Sequence, residues 1–263
     1  MNQDKAISVL KEIVQIKSVN PPGNEEEVAL KLKALFDEHG IETELVTYDE
    51  NRTNLVARLK GETDGPVLGL SGHMDVVPTG QIEWDHDPFG AAEVDGRIYG
   101  RGTTDMKSGL VACALAMISL KEEGLPKKGE IVLLATVGEE AGAVGAKQLT
   151  EEGYADHLDA LIIAEPSENH ITIAHKGALW TEITAYGKTS HGSMPHLGIN
   201  AVVHINEIIH RILQDPFHFA DEKDELLGGP TFSVNVMEGG KSTNVVPDHC
   251  FTKVDMRTIP SQD

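Results

Sequence analysis

The chain has 263 residues, enough for one large domain or two modest ones. Hydrophobic residues make up 40% of it and charged residues 24%, the balance of an ordinary globular protein. Its 22 basic and 42 acidic side chains give a formal net charge of −20, which argues against nucleic acid or an anionic membrane as a partner.

Residues 3–18 place Ile7, Leu10, Ile13, Val14 and Ile16 at helical spacing. A turn-rich break, Ser18 to Asn24, separates this helix from a second amphipathic one, Glu25 to His39, which Gly40 ends. Two short β-type runs follow at Glu42–Thr47 and Asn54–Leu59. PVLGLSGHMDVVP is then a near-continuous apolar run, as in a strand buried on both faces. The Asp-, Gly- and Pro-rich stretch 81–100 reads as a long loop, leading into GRGTTDMKSG and an apolar helix from Leu110 to Glu122. A strand at Glu130–Thr136, a helix from Ala143 and a strand at Ala160–Ala164 continue an α/β alternation. Near His175–Gly177 the character changes. A strand (Ala178–Tyr186), a loop, a helix (Ile199–Leu213), an acidic linker (DPFHFADEKDE) and two strands (Thr231–Met237, Cys250–Arg257) suggest a small β-α-β-β unit. The start carries acids and no apolar core of signal-peptide type, and no apolar run is long enough to span a bilayer, so a cytoplasmic protein is expected. Cys113 and Cys250, far apart and in apolar settings, are expected to be buried free thiols.

Acidic and histidine residues sit at the ends of these apolar runs: His73 and Asp75 in SGHMDVVP, Asp105 in GRGTTDMKSG, Glu139 and Glu140 in VLLATVGEE, and Glu165 in LIIAEP. Ligands of an open α/β sheet gather at the carboxyl ends of its strands, so these distant residues are expected to meet there. One imidazole and five carboxylates are the donor set of a pair of divalent cations. Each motif alone has a plainer reading: a turn at His-x-Asp, a solvated Glu pair, an Asp that caps a helix. Their conjunction carries the inference. In it Glu139 is the expected general base, Glu140 a ligand, Asp105 the bridging carboxylate with Gly102 and Gly109 allowing close backbone approach, and Asp75 the residue that orients His73. No role is assigned to His157, His204, His210, His218 or His249.

The strings SGHMDVVP, WDHDPFGAAEVDGRIYGRGTTDMKSG, VGEEAGAVGA, AEPS, TSHGSMPHLGINA and STNVVPD together resemble the zinc-dependent aminoacylase and carboxypeptidase superfamily. The resemblance implies a mixed-sheet α/β catalytic domain (1–175) and a partial α+β lid that also mediates homodimerisation (176–263). It implies two divalent metals, zinc with cobalt or manganese as alternatives. His73 and Glu165 would hold one and Glu140 the other, with Asp105 between them. It gives His191 the oxyanion, typically of the partner subunit's site, and Asn244 a substrate contact. Arg257 in DMRT is a candidate clamp for a substrate carboxylate, as well as an ordinary strand arginine. The implied reaction is hydrolysis of a small N-acyl amino acid or short peptide. The branch leans to succinyl-diaminopimelate desuccinylase, with acetylornithine deacetylase and di- or tripeptidases as alternatives. Members of the superfamily continue for a hundred or more residues beyond the point matching Asp263, including a last histidine that completes the Glu140 metal. On that ground a truncated chain with an incomplete second metal site and exposed apolar surface is also expected. A metal-binding or dimerisation module without turnover, or a regulator that pairs with a longer paralogue, is then the reading from another class.

Overall fold

The computed structural model describes residues 3–214 and 221–262, and the chain forms two compact units, Met1–Asn169 and His170–Asp263. Residues 215–220 of the acidic linker, His218 included, lie outside the described residues.

The first unit opens with α1 (Gln3–Gln15) and α2 (Glu26–Glu38). Val9 and Ile13 of α1 and Val28, Ala29, Leu32, Leu35 and Phe36 of α2 are the apolar stripes that the helical period predicts, and all are buried. Strands β1 (Glu42–Asp49), β2 (Arg52–Lys60) and β3 (Thr63–His73) follow. The stretch predicted as one long loop folds in part into a hairpin, β4 (Ala92–Val94) and β5 (Arg97–Tyr99), turning at Asp95-Gly96. Both turn residues have positive φ, 50° and 74°, the demand that Asp-Gly meets, so this correction was available from the dipeptide itself. Helix α3 (Ser108–Glu122) buries Leu110, Val111, Cys113, Ala114, Met117 and Ile118. It is followed by β6 (Lys128–Thr136), α4 (Val144–Glu151) and β7 (Ala160–Ile163).

These strands build a mixed five-stranded sheet in the order β1-β2-β6-β3-β7, as the α/β reading predicts. β1, β2 and β6 pair antiparallel, whereas β6, β3 and β7 are parallel neighbours. β3 lies between the other two, and its His73 is in register with Thr136 at the end of β6. β7 is an edge strand, and Leu161, Ile162 and Ile163 are exposed along it.

In the second unit β8 (Gly177–Tyr186), β10 (His249–Thr258) and β9 (Thr231–Gly239) form an antiparallel sheet in the order β8-β10-β9. Helix α5 (Ala201–Gln214) packs Ala201 and Ile205 against Ala185 and Cys250 on one face of it. The element order is the expected β-α-β-β. Cys113 and Cys250 are both buried and unpaired. Among the described residues no helix is long and apolar enough to cross a membrane.

Candidate metal centre

Three adjacent parallel strands deliver the predicted residues to one edge of the sheet. β3 ends on His73, β6 runs into Val137-Gly138-Glu139-Glu140, and β7 runs into Ala164-Glu165. Asp105 arrives from the turn before α3. That turn is broken at Asp105 itself (φ −115°, ψ 102°) and at Met106 (φ −128°, ψ 28°). Two glycines set its place. A Cβ on Gly102 would lie 2.4 Å from Val76 Cγ1, and one on Gly109 would lie 2.0 Å from the carbonyl oxygen of Ala164. Only a missing side chain lets the start of α3 lie against the segment that carries Glu165.

His73 Nε2 faces the acids: 3.1 Å from Asp105 Oδ1, 3.7 Å from Glu165 Oε1 and 4.0 Å from Glu139 Oε2. Its Nδ1 donates to the carbonyl oxygen of Asp75 at 2.9 Å and lies 3.4 Å from that residue's carboxylate. Occupation of Nδ1 by a fixed acceptor leaves Nε2 as the atom that can bind a metal. One ligand atom each from His73, Asp105 and Glu140 lie within 4.8 Å of one another. An imidazole and clustered carboxylates suit a first-row divalent ion.

The electrostatics fit the same donor set. Burial would lower the His73 pKa, but the Asp75 carboxylate, then Glu165 and Glu139, outweigh it and push the imidazole up to about 9. Burial, with Asp105, Glu139 and Glu140 nearby and against the pull of His73, pushes Glu165 up to about 7. Burial and Asp105 raise Glu140 as well. Acids crowded this closely resist ionising together unless a cation joins them. Asp75 goes the other way. Burial would raise it, but hydrogen bonds from His73 and from Asn20 Nδ2 (2.8 Å) hold its carboxyl below the usual range.

Asp75 does more than orient His73. It also accepts the backbone N–H groups of Glu139 at 3.0 Å and Glu140 at 3.2 Å. Sequence reasoning missed three polar residues beneath this site. Asn20 is buried against Asp75, in the break before the two prolines. Glu25, fully buried, accepts Gly138 N–H at 3.1 Å and pairs with Arg52. Lys107 is also fully buried and donates to the carbonyls of Ile13 (3.1 Å), in the last turn of α1, and Ile16 (2.8 Å), just past its end. Burial pushes its ammonium down to about 7. A lysine directly ahead of an apolar helix was the one visible signal; the other two looked like turn and helix-start residues.

His191, Asn244 and Arg257 all belong to the second unit. The loops holding His191 and Asn244 run side by side: His191 bridges Val245, and Gly192 N–H donates to Asn244 O at 2.8 Å. The His191 ring pairs with Ser193 Oγ at 2.8 Å through Nδ1. Arg257 stands near the other end of β10, roughly 25 Å along the strand from these loops. Its guanidinium donates twice to Asp255, at 2.8 and 2.9 Å.

Comparison with known proteins agrees with this geometry. Residues 69–257 match the profile of "Peptidase family M20/M25/M40". A probable succinyl-diaminopimelate desuccinylase of Staphylococcus epidermidis is 40% identical over 99% of this chain and 69% of its own length. The corresponding Staphylococcus aureus protein is 37% identical over 100% and 69%. Among solved structures, an M20 family metallo-carboxypeptidase of Sulfolobus solfataricus superposes with a TM-score of 0.81 at 23% identity, covering all of this chain and 72% of that one. A tripeptidase of Staphylococcus aureus gives 0.69 at 27% identity, over 100% and 68%. With its profile matched across most of the chain and its ligand-type residues gathered at one sheet edge, this protein belongs to peptidase family M20/M25/M40, a family of metal-dependent hydrolases.

Proposed function

We propose that this protein is a metal-dependent amidohydrolase that removes the succinyl group from N-succinyl-diaminopimelate. The observation that carries the chemistry is the division within the Glu pair. Glu140 joins His73 and Asp105 as a possible ligand trio, while Glu139 stays outside it, 48% exposed and 4.0 Å from His73. The substrate follows the relatives at 37 and 40% identity named as probable desuccinylases. The ligands would be His73 and Glu165 on one ion and Glu140 on the other, with Asp105 bridging. Zinc is the first candidate, with cobalt or manganese as alternatives. Divalent ions bound there would polarise the amide carbonyl and make water more acidic.

The residues of the chain do the rest. Asp75 holds His73 Nδ1, so that Nε2 faces the ions. Glu139 takes a proton from the attacking water, and the same proton passes to the leaving amine as the amide C–N bond breaks. By the family resemblance His191 donates to the developing oxyanion, typically of the partner copy's site, and Asn244 contacts the substrate. Arg257 is a carboxylate clamp only if its fork leaves Asp255. In this reading residues 1–175 are the catalytic domain and 176–263 the lid, which pairs two copies of a cytoplasmic homodimer.

The test is elemental mass spectrometry of purified protein, with hydrolysis of N-succinyl-diaminopimelate, N-acetylornithine and a dipeptide assayed on the same sample. Two metals per chain with preferential turnover of the succinyl substrate supports the proposal. Preference for either alternative reassigns the substrate. One metal without turnover favours a metal-binding module, and no metal with no turnover overturns the metal-dependent reading.

A further inference from the structure

Four consecutive backbone amides leave β6 and enter the Glu139–Glu140 turn, and all four end on buried side-chain oxygens. Val137 N–H donates to Asn54 Oδ1 at 2.9 Å and Gly138 N–H to Glu25 Oε1 at 3.1 Å. Glu139 and Glu140 donate to Asp75 Oδ1 and Oδ2 at 3.0 and 3.2 Å. Backbone N–H groups lined up in this way form a small positive concavity, and here it is filled by an amide oxygen and two buried carboxylates of the chain itself. The side chains of the same turn lie by His73: Glu139 Oε2 is 4.0 Å from its Nε2, and Glu140 groups with it and Asp105.

Glu25 is the member with no other evident task. It stands at the start of α2, where an acid would ordinarily cap the helix, yet it makes no cap hydrogen bond. Its carboxylate instead accepts both arms of Arg52, Nη2 at 2.9 Å and Nε at 3.1 Å, as well as Gly138. Two glycines make room for the pair. At Gly23 (φ +93°) a Cβ would lie 2.4 Å from Arg52 Nε, and at Gly138 (φ +66°) one would lie 2.6 Å from Arg52 Nη2. A buried ion pair is seldom a net source of stability, so its placement against one amide of this turn calls for another explanation.

We propose that Glu25, held by Arg52, is a positioning residue: it fixes the Gly138 amide and so the direction in which Glu139 and Glu140 leave the backbone. The inference rests on the reading of Glu139 as general base and Glu140 as ligand. A base displaced by about 1 Å loses roughly 100-fold in rate.

The experiment compares unaltered protein with Glu25→Gln, which keeps an acceptor oxygen for Gly138. The third sample is the double variant Glu25→Leu/Arg52→Met, which replaces the pair with apolar groups of similar size. Native-state amide exchange is followed in peptides over 137–143 and over β6, with metal content, thermal midpoint, kcat and KM on the same samples. In the double variant, exchange at 138–140 is expected to quicken about tenfold or more while β6 stays protected. Bound metal should fall, because the loosened turn carries the Glu140 ligand, and at saturating metal kcat should fall roughly 10- to 100-fold with KM within about twofold. Glu25→Gln keeps the acceptor for Gly138 but loses one Arg52 hydrogen bond and the charge, so it should loosen the turn and lower kcat clearly less than the double variant. Unchanged exchange in the double variant, or equal loosening in both variants, overturns the proposal. Should the double variant not fold, Glu25→Gln against Glu25→Met draws the same contrast. If the unaltered protein hydrolyses no N-acyl amino acid, the functional reading falls, and exchange alone decides the positioning role.

Discussion

Asp75 and Glu25 expose none of their side-chain surface, and every one of their carboxylate oxygens accepts an N–H group. A short distance above them, Asp105, Glu139 and Glu165 are 54, 48 and 41% exposed, and among the described residues none has a Lys or Arg partner. Floor and rim are made of the same residue types and differ in what completes them. The floor is finished by the protein itself, which makes it structural. The rim is acidic, crowded and completed only by the His73 ring, which leaves it open to cations.

The largest effect that sharpens this contrast is at the rim. Glu139→Ala should lower kcat about 1000-fold with metal content and thermal midpoint unchanged. Loss of metal together with turnover would mean that base and ligand have been confused. The floor should respond in the opposite currency: Asp75→Ala strands the Glu139 and Glu140 amides and Asn20. It should cost about 3 kcal/mol in urea unfolding at constant m-value, with or without metal.

The effect of pH separates the two layers without a mutation. Glu165 binds its proton more tightly folded (about 7) than unfolded, where the ordinary value is 4.5. Its contribution to the stability of the metal-free protein is fully present below pH 4.5 and is lost as pH rises through 7. Glu140 is shifted in the same direction. The urea midpoint of chelated protein should therefore fall between pH 5 and 7, and saturating zinc should flatten or reverse the trend. The smallest expected effect is that of Glu165→Gln on the metal-free protein, a modest rise of the urea midpoint at pH 7, because a neutral amide relieves the crowding of the acids. The same change should reduce bound metal, a dissociation of stability from binding that no floor residue would show.

Two members of the rim, Glu139 and Glu165, were legible because each ends an apolar run, and the β6-β3-β7 order turns that pattern into proximity; Asp105, in a Gly-rich turn ahead of an apolar helix, was legible only in conjunction with them. The floor was not. Asn20 sits in a turn-rich segment and Glu25 at a helix start, both common places for those residues, and only the fold brings them under the sheet edge. Lys107 reads as a solvated charge until α1 is seen to end over it. The hairpin of β4 and β5 left one sign, the Asp95-Gly96 dipeptide at its turn; its strands of three residues are too short to show an alternation. Arg257 marks the reverse case. Its residue type suits a carboxylate, and the carboxylate that holds it is Asp255, two positions back on the same strand.

At Gly109 the site depends on an atom that is not there. The 2.0 Å between its would-be Cβ and the oxygen of Ala164 means that every other amino acid would wedge the Asp105 turn away from the Glu165 strand. The separation of two ligand-type residues is thus gauged by a position that touches neither ion nor substrate. Such a position has no room for neutral drift: a lineage could exchange one divalent metal for another, or one acyl group for another, and still be obliged to keep hydrogen there.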